Sequence, residues 1–346
     1  MLEIDVTGTE LVLEYLRNVA AGRVDPKLME EIVSDPGYQV FIRRQRAMAN
    51  RTGEGRPSSV TDEEFSRFLV AFARGEEWDG ALLFSKLGEA FRRAMTRLDL
   101  HAKVLDKVKE LDVSGLESQV LQRLPEGATL DATVYFLAEV HPDAYVFGGS
   151  IVVSFFPLVV SRGSLFSGKV PVLPVLCHEL HHIGLASISP SLDEATKEGL
   201  VLSVIGGLLG EGAATMFFTP PEGGPHWESW RETAADLPGH YQEFEKMLQE
   251  ILEGSRELPE ARAELFQRFF RPYRKKSYPA GYVLGVDMCR TIYRRFGEAA
   301  LVDVMARPSR FLRLYNEAAD EGEYRFGDGL VQELWRIGEA GQAWPR

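Results

Sequence analysis

The first 125 residues repeat apolar positions at helical spacing. The segments TGTELVLEYLRNVAAG and SSVTDEEFSRFLVAFARG both show this spacing, and Thr61 with Glu64 forms a capping-box signal in the second. Just before it, RTGEGRPSS at 51–59 has the composition of a loop. We therefore predict a helical N-terminal region over residues 1–125.

The pattern changes after residue 125, where two segments are rich in β-branched and aromatic residues. These segments are ATVYFLAEV and GSIVVSFFPLVV, and the turn signals HPD and GG lie between or near them. They predict a small sheet over residues 130–160. Helical patterns return after Pro174 and continue, with breaks at 219–225 and 277–282.

Strands followed by helices predict an α+β fold that is mostly helical. We expect a second region, residues 126–346, in which the sheet at 130–160 precedes two helices within 172–218. A helical C-terminal lobe over 226–346 completes this region.

The chain has 346 residues, a formal net charge of −12 and two cysteines. An acidic surface repels phosphate backbones, so nucleic acid is not an expected partner. Two cysteines outside a CxxC pair do not form a disulfide framework, and they agree with a reducing compartment. The start of the chain has no basic segment followed by an apolar one, so we expect no signal peptide and predict a cytoplasmic protein.

The most apolar run of the chain is GLVLSVIGGLLG at 199–210, and Glu211 follows it directly. The run has about a dozen residues, whereas a membrane-spanning helix needs roughly 20. It therefore predicts a buried core helix, and no membrane partner is expected.

The segment CHELHH contains an H-E-x-x-H motif. His178 and His182 are four residues apart, so both imidazoles lie on one face of a helix and can bind one metal ion. Glu179 lies beside that face, where it can act as a general base on a metal-bound water. Chance predicts on the order of 0.01 such motifs in a chain with this composition. The motif therefore predicts a Zn²⁺ site with both histidines as ligands.

Two neighbouring residues offer alternative ligands. His181 could share a metal with His178 at i, i+3 spacing, but only the 178/182 pair leaves a glutamate in the general-base position. We interpret His181 as a packing or supporting residue. Cys177 points about 100° away from His178 on an ideal helix, so packing is its expected role.

A catalytic zinc keeps three protein ligands and one open position, so the motif needs a third ligand. The residues after His182 do not continue to a third histidine, which leaves Glu198 and Glu211 as candidates. Glu211 follows an apolar run, and a carboxylate in such surroundings needs a cation. Glu198 ends a charged segment and fits a solvated first helical turn. We predict Glu211 as the ligand, with Glu198 as the alternative.

The combination of HELHH with GEGAATMF resembles the gluzincin metallopeptidases. Residues 210–214 are similar to the N-E-G-F-A segment that carries the glutamate ligand in aminopeptidase-N-like members, with matches at Glu211, Gly212 and Ala214. The pattern over residues 130–315 also resembles uncharacterised bacterial families of zinc-dependent peptidases. The spacing from histidine to glutamate is longer than in the aminopeptidases, and their G-x-M-E-N motif is not found near the predicted strands.

This resemblance implies a zincin-like core and a tyrosine that stabilises the oxyanion. Aminopeptidase-like members place that tyrosine in a Y-x-x-G segment at the start of a helix. Residues 278–281, YPAG, match it, so Tyr278 is the predicted donor and Tyr282 the alternative. A Tyr-Pro turn without a catalytic role is the other interpretation. The resemblance also implies that an edge strand within 145–154 pairs with an extended substrate.

We expect a zinc-dependent hydrolase that cleaves peptide bonds, with a peptide or protein as its substrate. The alternative is a regulatory protein that binds peptides on a zincin scaffold without cleaving them, and the presence of Glu179 argues against it. A helical structural protein without a metal is a third hypothesis. The sequence does not predict an oligomeric state.

Overall fold

The structure, a computed structural model, describes residues 2–51, 60–140, 144–160, 172–189, 192–224, 226–271 and 278–340. The chain forms two compact units. The first comprises Met1–Ser114 and Asp131–Glu179, and the second comprises Gly115–Leu130 and Leu180–Arg346. The domain boundary at residues 125 and 126 stays a prediction.

Helices dominate the described residues, which confirms the prediction of a mostly helical α+β fold. The strands are β1 (Glu3–Asp5), β2 (Thr133–Leu137), β3 (Ala144–Phe147) and β4 (Ser150–Ser154). The helices are α1 (Thr7–Ala20), α2 (Pro26–Ser34), α3 (Pro36–Arg51), α4 (Asp62–Ala73), α5 (Leu82–Met95), α6 (Leu98–Lys109), α7 (Leu116–Leu121), α8 (Phe155–Val160), α9 (Val172–Ile188), α10 (Lys197–Phe218), α11 (Trp227–Ala234), α12 (Leu237–Glu253), α13 (Leu258–Leu265), α14 (Ala280–Phe296), α15 (Glu298–Met305), α16 (Phe311–Ala318) and α17 (Asp328–Ala340). A π-helical turn at Phe266–Phe270 follows α13, and a 3₁₀ turn at Pro308–Arg310 follows α15.

The four strands form one sheet of the first unit in the order β1-β2-β4-β3. Strands β1, β2 and β4 are parallel, whereas β3 runs antiparallel to β4 and forms an edge. Gly148 and Gly149 join β3 to β4 with φ of +59° and +78°, the left-handed values that a type I′ hairpin turn requires. The predicted GG turn is therefore confirmed, and the predicted HPD turn at 141–143 lies outside the described residues.

The sheet ends at Ser154, which corrects the prediction that it continues to residue 160. The segment FFPLVV forms α8 instead. Pro157 has no N–H for a strand ladder, but the first turn of a helix does not need that donor. A short apolar run does not distinguish strand from helix by its periodicity. Strand β1 also lies in the region predicted as helical, because three residues are too few to show an alternating pattern.

Helix α3 packs closely on β2 in the first unit. A Cβ atom at Gly37 would lie 2.8 Å from the side chain of Leu137, so a glycine permits this approach. The Tyr38 hydroxyl donates a hydrogen bond of 3.1 Å to the carbonyl of Ala138 just after β2. These contacts determine where the later residues of α3 lie on the sheet.

Aromatic side chains form the core among the other N-terminal helices. Phe65 and Phe68 of α4 stack on Phe84 of α5, with ring centroids 5.4 and 5.2 Å apart. The Thr61 hydroxyl accepts a hydrogen bond of 3.1 Å from the Glu64 amide, which confirms the Thr61 half of the predicted capping box. Glu64 Oε1 accepts a hydrogen bond from the Ala81 amide. Phe156 of α8 also contacts Phe91 of α5, with ring centroids 5.9 Å apart, so these helices share their core with the rest of the first unit.

Helix α10 is the central helix of the second unit and packs on α12 and α14. Among the described residues it is the one helix long and apolar enough to cross a membrane by length and composition. In the structure, 61% of its apolar window is buried, and Leu208 and Leu209 are fully buried. The burial of residues 199–210 therefore agrees with the predicted core helix. The length argument for that prediction is wrong, because the helix has 22 residues and not about a dozen.

Glycines allow α10 and α14 to cross at very short range. A Cβ atom at Gly285 would lie 2.3 Å from the carbonyl oxygen of Leu208 and 3.0 Å from the Cα atom of Gly212. Both neighbours are backbone atoms that a side-chain rotation cannot remove. The crossing therefore requires glycine at position 285.

Replacing Gly285 with alanine is expected to lower the free energy of unfolding by about 1–3 kcal/mol, because the methyl group overpacks the crossing. Gly206→Ala is the matched control in α10, since its Cβ would meet only Pro308 Cγ, at 3.9 Å. We expect this control to keep or raise stability, because alanine has the higher helix propensity. Chemical denaturation followed by circular dichroism measures both variants. Equal free energies of unfolding for Gly285→Ala and Gly206→Ala would contradict the close crossing of α10 and α14.

A partly buried acid, Asp287, faces a group of tyrosines in the second unit. Tyr241 stacks on Tyr315 and Tyr324, with ring centroids 5.6 and 4.9 Å apart. Its hydroxyl donates a hydrogen bond of 2.7 Å to Asp287 Oδ2. Burial raises the pKa of Asp287 above its ordinary value of 3.8, and the hydrogen bond from Tyr241 offsets part of that shift.

Asp287 is therefore expected to make stability fall with rising pH. Its pKa is higher in the folded chain than in the unfolded chain, so its contribution is complete below pH 3.8 and is lost as the pH rises through the folded pKa. Asp287→Asn keeps an acceptor for Tyr241 and does not ionise. Denaturation of metal-free protein across this pH range should show the variant gaining stability relative to wild type. A constant difference between the two proteins would contradict the raised pKa.

Candidate metal centre

Helix α9 carries the complete H-E-x-x-H motif without a break. His178, Glu179 and His182 are partly exposed, whereas Cys177 and His181 are buried. The three motif residues are therefore accessible, whereas Cys177 and His181 are not. His181 lies against Phe218, with ring centroids 6.0 Å apart, in agreement with the packing role predicted for it.

Helix α10 brings a carboxylate to the histidines. Glu211 Oε2 lies 3.3 Å from His182 Nε2, and each of these side chains is 22% exposed. One ligand atom each from His178, His182 and Glu211 can be chosen so that all three lie within 4.8 Å of one another. Two imidazole nitrogens and one carboxylate oxygen are thus close enough to be candidate ligands of one metal ion.

This donor set fits a zinc ion. Tetrahedral zinc with bonds of about 2.0–2.1 Å places its ligand atoms about 3.3–3.4 Å apart. The measured separation between His182 and Glu211 agrees with that value. Three protein ligands of this kind are also the number found in catalytic zinc sites, where a fourth position stays open for water or substrate.

Gly210 explains how Glu211 reaches the histidine helix. A Cβ atom at Gly210 would lie 3.2 Å from the Leu185 side chain and 3.8 Å from His182 Nδ1. The small residue therefore faces α9 at the site. Gly207, three residues earlier in α10, faces Phe270, whose ring would lie 3.7 Å from a Cβ atom there.

Glu198, the alternative third ligand, lies elsewhere. It is exposed in the first turn of α10 and interacts electrostatically with Arg336. Thirteen residues separate it from Glu211, or about 20 Å along a helix that rises 1.5 Å per residue. The structure therefore brings Glu211, and not Glu198, to the histidines.

Tyr278 lies just before α14, in an aromatic cluster with α11. Its ring centroid is 4.9 Å from that of Trp230 and 5.7 Å from that of Tyr282. The Thr233 hydroxyl donates a hydrogen bond of 3.0 Å to its carbonyl. These contacts hold the start of α14 in place, and the catalytic role of the Tyr278 or Tyr282 hydroxyl stays a prediction.

A protein family described as "Putative zinc dependent peptidase" has a model that matches residues 29–323. The chain belongs to this family. The family's description indicates zinc as the metal, in agreement with the predicted cofactor and with the candidate His/His/Glu site. No curated protein and no solved structure matches the chain.

The extent of the family match changes the interpretation of the N-terminal region. The resemblance noted in the sequence began near residue 130, whereas the family model begins at residue 29, within α2. Most of the N-terminal helices are therefore part of the peptidase family's own sequence pattern.

Arg44 of α3 contacts the sheet of the first unit. Its guanidinium carbon lies over the ring of Tyr145 of β3, 3.8 Å from the centroid. Burial lowers the pKa of Arg44, and Tyr145 acts against that shift. The carboxylates of Glu139 and Glu179, like Tyr145, raise the pKa of Arg44. In the sequence, Arg44 stands in FIRRQR and does not differ visibly from its neighbours.

Removal of the Glu211 carboxylate is expected to release zinc. Glu211→Ala loses one of three ligands, so its zinc affinity should fall by more than the roughly 10–100-fold that loss of a supporting residue costs. Glu198→Ala is the matched control, since it removes a carboxylate from the same helix. Metal analysis by mass spectrometry after dialysis should find zinc in wild type and control only. Loss of zinc from Glu198→Ala, together with retention of zinc in Glu211→Ala, would contradict this assignment.

Proposed function

We propose that this member of the zinc-dependent peptidase family hydrolyses peptide bonds with a gluzincin-type site. One observation supports this most directly: the two histidines of an H-E-x-x-H helix and a glutamate from the following helix place their ligand atoms within 4.8 Å of one another. In this proposal, His178, His182 and Glu211 hold zinc. A zinc ion there supplies Lewis acidity toward a carbonyl oxygen and a water nucleophile at near-neutral pH.

Glu179 is the general base in this mechanism. It follows the ligand His178 directly and is partly exposed, so its carboxylate can reach a water and a substrate at the site. The carboxylate accepts a proton as the water oxygen bonds to the peptide carbonyl carbon. It then donates that proton to the leaving nitrogen as the C–N bond breaks. Glu179 therefore both accepts and donates the transferred proton.

The hydroxyl of Tyr278 is our candidate for stabilising the developing oxyanion, with Tyr282 as the alternative. The packing of both rings against each other and of Tyr278 on Trp230 supports a fixed position for them. A rigid donor costs no reorganisation when the charge develops.

The proposed substrate is an extended peptide. Strand β3 is an edge of the sheet, so its backbone groups can pair with an added strand.

A zincin-like core is part of the same proposal. The order of the elements supports it, since a mixed sheet with an antiparallel edge strand precedes the motif helix and the glutamate helix follows it. The alternative, a protein that binds peptides without cleaving them, has the same metal ligands but no need for Glu179.

Glu179→Gln is expected to keep zinc and the fold but to lower peptide turnover by about 10²–10⁴-fold, the usual contribution of a general base. The amide is nearly isosteric with the carboxylate and cannot accept the proton. A peptide library analysed by mass spectrometry, with metal content measured on the same samples, gives both readouts. Full turnover in the variant would contradict the mechanism. Zinc-loaded wild type that binds peptides and cleaves none would favour the regulatory alternative.

A further inference from the structure

The ring of Phe270 lies on helix α10, one helical turn before Glu211. Its atoms Cζ and Cε1 are 3.7 and 3.8 Å from the position that a Cβ atom of Gly207 would occupy. Gly207 and Glu211 are four residues apart in α10, so they lie on one face of the helix. Cβ positions at this spacing are about 5–6 Å apart, which places Cζ of Phe270 at most about 10 Å from Glu211 Cβ.

The Glu211 side chain extends toward the turn that Phe270 covers. In an α-helix the Cα–Cβ bond tilts toward the N-terminus, so a side chain covers the turn before its own Cα atom. The contacts of Glu211 agree with this direction. Its carboxylate lies 3.3 Å from His182 Nε2, and the same imidazole would lie 3.8 Å from a Cβ atom at Gly210. Glu211 and Phe270 are both partly exposed, so a substrate bound beside Glu211 can reach Phe270 with one large side chain.

The backbone around Phe270 is anchored in the second unit. Phe270 ends the π-helical turn Phe266–Phe270, and such turns are rare and occur frequently at functional sites. The preceding Phe269 is fully buried, with its ring centroid 5.1 Å from that of Phe244. A Cβ atom at Gly281 would lie 2.6 Å from the carbonyl oxygen of Phe269, so the start of α14 also packs on this turn. Phe270 is therefore a partly exposed ring on a fixed segment.

The chemistry of this ring determines which side chain it favours. Gly207 has no side chain, so nothing of its own separates the Phe270 ring from the backbone of α10. Aromatic rings whose centroids are about 4.5–7 Å apart attract each other by more than the area they bury. An aromatic ring carries no net charge that would select an acidic or a basic side chain. Phe270 therefore favours another aromatic ring.

We propose that Phe270 is a specificity-determining residue, which selects substrates with an aromatic side chain next to the scissile bond. The proposal rests on the peptidase function proposed above and adds the class of substrate. The metal ligands and Glu179 act on the peptide group, which every peptide substrate shares. Phe270 contacts a side chain, which differs from one substrate to the next.

The test compares Phe270→Leu and Phe270→Ala with wild type. Leucine removes the ring but keeps much of its volume, so this variant keeps the fold even if the alanine variant does not. Phe266→Ala is the matched control, because it removes a ring from the same turn, one that lies under the Arg271 guanidinium at 5.2 Å. Zinc content and kcat/KM are measured on versions of a cleaved peptide with phenylalanine or alanine on either side of the scissile bond.

We expect wild type to prefer the phenylalanine peptide. Phe270→Leu should lower kcat/KM for that peptide about 2–10-fold, the effect of one aromatic pair, and leave zinc content and kcat/KM for the alanine peptide unchanged. Phe270→Ala should lose at least as much of the preference, and Phe266→Ala should keep it. A wild type without the preference, or an equal loss on both peptides, would overturn the proposal.

Hydroxamate binding separates this inference from the proposed function. If zinc-loaded wild type cleaves no peptide, the peptidase proposal fails, and the preference is then measured by calorimetry on zinc-loaded protein. Phenylacetohydroxamic acid and acetohydroxamic acid share the group that binds zinc and differ by a phenyl ring. Wild type should bind the phenyl compound more tightly, and Phe270→Leu should lose that difference. The same ratio of affinities in both proteins, or no binding of either compound, overturns the inference.

Discussion

The approach of α10 to α9 at Gly210 is the contact on which the candidate site depends. Without a side chain at that position, the glutamate helix packs directly against Leu185 and His182. Glu211 then lies 3.3 Å from His182 on the partly exposed side of the helix pair. A carboxylate and an imidazole at this distance fit neighbouring ligands of one cation. The close crossing with α14 at Gly285 secures α10 from another side.

The site was more predictable than the fold around it. His178, Glu179 and His182 follow from spacing alone, because i, i+4 residues share a helix face. Glu211 followed from a carboxylate beside an apolar run. The extent of the sheet was harder to predict, since FFPLVV has the composition of a strand and forms α8. A run of that length carries no period that distinguishes the two structures.

Arg44 shows why sequence patterns miss contacts between distant segments. Tyr145, whose ring lies under its guanidinium, is about a hundred residues away along the chain, and only the packing of α3 on the sheet brings the two together. Arg43, its neighbour, has the same chemistry and faces solvent. The family match from residue 29 includes α3.

X-ray absorption at the zinc edge of the purified, zinc-loaded protein tests the central claim most directly. The proposed site predicts a first shell of imidazole nitrogens and carboxylate or water oxygens at about 2.0–2.2 Å, and Glu211→Ala should change that shell. A sulfur neighbour at about 2.3 Å would instead place Cys177 or Cys289 on the metal. That result, or a shell unchanged by the loss of Glu211, would contradict the site built by α9 and α10.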